Sequence, residues 1–130
     1  MQSFGPLSVY WRDDSHRAVI IEFNAGWTWF DFDNALKTLL DMMREFPHPV
    51  DIVADVHGTP HPPDANILPH LQRAWQYRPA NLRHAIYVNP IHYLAVASQA
   101  FAGVTGGKFS LKIVKTMQEA DEFLASLSPE

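Results

Sequence analysis

The histidines and carboxylates between positions 51 and 70 are the residues best suited to chemistry. They are Asp51, Asp55, His57, His61, Asp64 and His70. Neutral imidazoles with a carboxylate suit zinc or a related ion, so His57, His61, His70 and Asp64 compose one candidate metal set. No HExxH-like spacing occurs among them, and His70 falls more than a turn into the next helix, so the expectation is loop and surface histidines with no metal and no cofactor. Asp51 and Asp55 share one strand face about 13 Å apart, too far for a shared proton and wide even for inverting glycoside hydrolysis. Asp55, near the strand end, is expected to accept hydrogen bonds from loop amides.

A nucleophile beside a base is also missing. The chain has no cysteine and no Gly-x-Ser-x-Gly elbow, and Ser98 falls inside a helical pattern. Gly103-Val104-Thr105-Gly106-Gly107 lacks the lysine-serine context of a phosphate loop and reads as a helix terminus. With no constellation meeting the geometric requirements of catalysis, the expectation is a protein that is not an enzyme. A small metal-dependent enzyme using the loop histidines is the alternative.

These residues must be held by regular elements. Leu7 to Trp11 and Ala18 to Asn24 are β-rich runs either side of a polar loop, an antiparallel hairpin. Thr28 is placed as an N-cap with Asp31 at the capping-box position, and Trp27 with Phe32 forms a hydrophobic staple. The spacing of Trp29, Phe32, Leu36, Leu39, Leu40 and Met43 predicts a helix from about Trp29 to about Glu45, ended by Pro47-His48-Pro49. Val50 to Val56 is a strand, and after a proline-braced loop a helix runs to about Tyr77 with Pro69 in its first turn. His84 to Val88 is a strand, Pro90 begins a helix, and Leu111 to Lys115 is the last strand. Thr116 and Glu119 cap the final helix.

At 130 residues the chain is expected to form one domain spanning residues 1–130. The net charge of -4, with ten scattered lysines and arginines, argues against nucleic acid. No run approaches the roughly 18 apolar residues of a membrane helix, and the N-terminus reads as neither signal nor anchor, so no membrane insertion is expected and a cytoplasmic location is the default.

The order of elements implies an α/β fold, a mostly parallel five-stranded sheet with an antiparallel N-terminal edge strand and four helices. Aspartates on one face of the Val50 strand, and lysines on the last strand, place the helices mainly on one face. The other face is expected to be semi-exposed or covered by a second copy of the chain, making a homodimer possible.

The element order, with VDIVADVHGTPHPPDANILPHLQRA at its centre, resembles the STAS superfamily of sulfate-transporter and anti-sigma-factor-antagonist domains. In that family the central strand ends in an Asp. A segment of Asp-Ser-Ser/Thr-Gly type then begins the next helix, and its first hydroxyl residue is phosphorylated to break binding to an anti-sigma kinase. Asp55 matches the strand-end Asp, and Asp64-Ala65-Asn66 stands where the switch segment belongs. Either Ala65 or Asp64 then occupies the hydroxyl position, so the resemblance implies a docking loop without the phospho-switch.

Ligands of parallel sheets collect beyond the strand C-termini, where helix N-termini expose amides. That rim holds Trp27, His57, Thr59, His61, Asp64, Asn66, Asn89 and His92, the expected contacts for a protein partner or a small apolar or anionic ligand. Trp27, Trp29, Phe30, Trp75, Tyr77 and Tyr93 lie near it and read mainly as core; exposure of Phe30 and Tyr93 would mark a binding surface.

Overall fold

A Gly-Pro pair makes the first turn of the chain. In the computed structural model, which describes residues 1–58, 66–89, 98–100, 103, 105 and 110–127 without the side chain of His57, strand β1 (Gln2–Phe4) pairs antiparallel with β2 (Leu7–Trp11). Gly5 takes φ +58, a region that disfavours any side chain, and a Cβ there would lie 2.8 Å from Asp31 Oδ2. Pro6 follows with the fixed φ that suits the second turn position.

The other elements are β3 (Ala18–Asn24), α1 (Trp29–Arg44), β4 (Val50–Gly58), α2 (Ile67–Tyr77), β5 (Leu82–Val88), β6 (Ser110–Val114) and α3 (Met117–Ser126). A fourth helical stretch includes residues 98–100. The sheet therefore has six strands, not the expected five, in the sequential order β1-β2-β3-β4-β5-β6. The pairs β1–β2 and β2–β3 are antiparallel, and the rest are parallel. The strand expected at the edge, Leu7 to Trp11, is thus internal, with β1 outside it.

α1 begins as its sequence dictates. Thr28 Oγ1 accepts from the Asp31 amide and Asp31 Oδ2 from the Thr28 amide, both at 3.1 Å. Trp27 and Phe32 pack with ring centroids 5.8 Å apart, completing the staple. At α3 the hydroxyl half of the cap is present, Glu119 N–H donating to Thr116 Oγ1 at 3.1 Å, but the carboxylate reaches one residue further back, to the Lys115 amide at 3.0 Å.

Two cores flank the sheet. The larger gathers Leu7, Val9, Val19, Ile21, Ile52 and Ala54 with Leu39, Leu40 and Met43 of α1. The smaller sets Ile20, Val53, Ile86, Val88 and Val114 against Ala120, Phe123 and Leu124 of α3. The chain's own last helix thus covers the β5–β6 part of the second face, whereas Ser8, Tyr10 and Glu22 on its β2–β3 part are half-buried, so the expected semi-exposed face is found only on that side.

The aspartates that suggested exposure are buried. Asp51 is 1% exposed because its oxygens accept from Arg83 Nε at 3.1 Å, Arg83 Nη2 at 2.8 Å, the His84 amide at 3.1 Å and His84 Nδ1 at 3.0 Å. A carboxylate so fully partnered tolerates removal from water.

Candidate functional site: an apolar cavity beneath α2

All four parallel strands run the same way, so Asn24, Gly58, Val88 and Val114 end at one rim. Of the expected site residues, Trp27, Asn66 and Asn89 can be placed. Asn89 takes φ +51, is exposed, and donates its amide to Val114 O at 2.8 Å, turning the chain sharply out of β5. Asn66 is exposed at the N-cap of α2 and makes no side-chain capping bond there. Trp27 follows the rim end of β3 but is turned inward: it is 8% exposed and packs edge-on to Phe23 at 5.3 Å and Trp29 at 5.1 Å. The His57 backbone lies in β4, with its side chain outside the described set; Thr59, His61, Asp64 and His92 lie outside the described residues altogether. Tyr93 lies outside as well, whereas Phe30 is 77% exposed.

Behind the rim lies a cavity of about 100 Å³ between the sheet, α1 and α2. Its floor is Ile21 and Phe23 of β3, Ile52, Ala54 and Val56 of β4, and Leu82, Ala85 and Tyr87 of β5. Trp27, Trp29, Phe32, Leu36 and Leu40 make one wall, and Ile67, Leu71, Ala74 and Trp75 of α2 form the roof. Among the described residues every one that lines it is apolar or aromatic, and none is charged. Three alanines explain the space: Ala54 and Ala85 on the floor and Ala74 above are too short to meet across it. An apolar cavity of this order excludes water and suits a small apolar molecule.

The roof is pinned to α1 along its outer side. His70, 8% exposed, stacks on Trp29 with centroids 4.1 Å apart and planes 9° apart, and its Nδ1 lies 2.8 Å from Asp33 Oδ1. Arg73 Nη2 is also 2.8 Å from Nδ1 and 3.5 Å from Asp33 Oδ2. An ionised carboxylate only accepts, so the tautomer with Nδ1–H donating to Asp33 fits the pair, and Arg73 competes for the same edge. Further along, Tyr77 Oη donates to Asp41 Oδ1 at 2.7 Å and Arg44 Nη2 to Tyr77 O at 2.5 Å.

The sequence groups His70 with the loop histidines as a metal candidate. The structure instead joins it to Asp33, 37 residues away, fastening α2 to α1. Among the described residues no group of three His, Cys, Asp or Glu is arranged to hold a metal. The sequence reading also missed the cavity. Its only trace there is alanine at positions where the flanking pattern calls for larger apolar residues.

On the opposite face Tyr10 Oη donates to Glu22 Oε1 at 2.9 Å, and Glu22 sits beside Asp55 in the β3–β4 register. Burial, then the hydrogen bond and charge of Glu22 and the charge of Asp55, push the Tyr10 phenol up to about 12. No helix among the described residues is long and apolar enough to cross a membrane. No protein-family model and no curated protein matches the chain.

Proposed function

We propose that this chain is a non-enzymatic, STAS-like binding module that holds a small apolar molecule between its sheet and α2. The observation that carries the reading is the cavity beneath α2, whose described lining is apolar or aromatic throughout, roofed by the helix that the loop from His57 to Asn66 feeds. The STAS-like architecture is supported by the alternation of strands and helices after an antiparallel N-terminal pair. The family's switch position falls on Asp64-Ala65, so binding in this reading is not controlled by phosphorylation of that segment.

The site needs no reaction to explain it. Among the described residues its walls hold no carboxylate, imidazole or amine, and a ligand there is held by burial of apolar surface, about 25 cal/mol for each Å² removed from water. Cyclohexane is a suitable probe, followed by thermal shift and by the indole resonances lining the cavity. Wild type is expected to gain stability and shift those resonances with saturable dependence, whereas Ala54→Leu, which fills the floor, is expected to lose both responses. A folded wild type indifferent to cyclohexane up to its solubility would sink the proposal.

A further inference from the structure

Trp27 Nε1 is a buried side-chain donor that has no hydrogen-bond partner among the described residues, although the indole itself lines the cavity. Such atoms are rare in native proteins, because a buried N–H stripped of water and given nothing in exchange is unfavourable. The neighbouring rings do not relieve it: Phe23 and Trp29 offer at most a weak π contact. Ser98 Oγ, the other buried side-chain atom of this kind among the described residues, lies within reach of the Tyr87 hydroxyl and is therefore not a comparable orphan.

We infer that the occupant of the cavity is a neutral molecule with an apolar body and one hydrogen-bond acceptor, a ketone, ester or ether oxygen, that receives the N–H of Trp27. This rests on the ligand-binding reading above and specifies its ligand class. Neutrality follows from the lining. With no cationic side chain among the described residues of the walls, a carboxylate or phosphate would be buried against them without a counter-charge, which is far costlier than burying a carbonyl. The apolar body follows from the alanine-floored space, and the single acceptor from Trp27 Nε1 being the one buried donor of the described lining without a partner. The staple geometry fixes that donor in place, since the Trp27 ring is held between Phe23, Trp29 and Phe32 and cannot turn its N–H toward solvent without leaving the core.

Cyclohexane and cyclohexanone differ by one acceptor at nearly the same shape, which makes them the discriminating probes. In a ¹H–¹⁵N spectrum of the wild-type chain, cyclohexanone is expected to move the Trp27 indole proton downfield while cyclohexane is not. The Trp27→Phe variant assigns that resonance. Its affinity for cyclohexanone relative to cyclohexane is expected to fall about tenfold, and dividing one affinity by the other cancels general changes in the cavity. Equal indole shifts with the two probes in the wild type, or a water molecule retained on the indole N–H while cyclohexanone is bound, would overturn the inference and leave the apolar site standing. Failure of both probes to bind would overturn the binding reading itself.

Discussion

Tyr10 links a single hydroxyl to the stability of the sheet's second face. Its folded-state pKa of about 12 lies above the unfolded value near 10, so the folded chain keeps that proton longer than the unfolded one. The stabilisation is fully present below pH 10 and is lost as pH rises through 12. Urea unfolding across that interval is expected to show wild type losing about 1 kcal/mol more than Tyr10→Phe, after allowance for partial solvent screening of the pair. Parallel losses in the two proteins would remove the assignment. Single residues were legible in the sequence where the partner is close in the chain: Thr28 with Asp31, and Trp27 with Phe32. They were not where it is distant. Nothing in the spacing of Asp51, Arg83 and His84 announces that one carboxylate gathers four donors, because that depends on how β4 and β5 are registered.

Helices and strands were mostly legible because their cues are local. The apolar spacing and cap of α1 place it within a residue of its observed limits. β1 escaped because three residues carry no periodicity, and its only cue is the Gly5-Pro6 pair between Phe4 and Leu7. The start of α3 was legible from Thr116 and Glu119, but a cap does not say which face of a sheet the helix will cover. α2 is the element whose seat the sequence left open. It makes its main contacts with α1, through the His70 stack and the Asp33 and Asp41 bonds, and meets the sheet mainly across the cavity. Its amides are therefore expected to exchange with solvent water faster than those of β3 and β4 in native-state hydrogen exchange, and to slow when cyclohexane is bound. Protection of α2 equal to that of the central strands, with or without the probe, would contradict this picture.

At the scale of the whole molecule, sheet order and class follow from the alternation of elements, and the rim follows from the parallel strands. The cavity does not, since three alanines drawn from β4, α2 and β5 define it jointly and each alone is an ordinary core residue. The space among those alanines has a mechanical side. A folded chain enclosing unfilled volume occupies more room than its hydrated unfolded form, and hydrostatic pressure favours whichever state is smaller. The protein is therefore a pressure gauge of its own packing. Ala54→Leu is expected to raise the midpoint of pressure unfolding and to lower the magnitude of the volume change, whereas an unchanged volume change would mean that the alanine gap closes without help. A bound molecule would act in the same direction, making the seat beneath α2 the place where compressibility and occupancy are coupled.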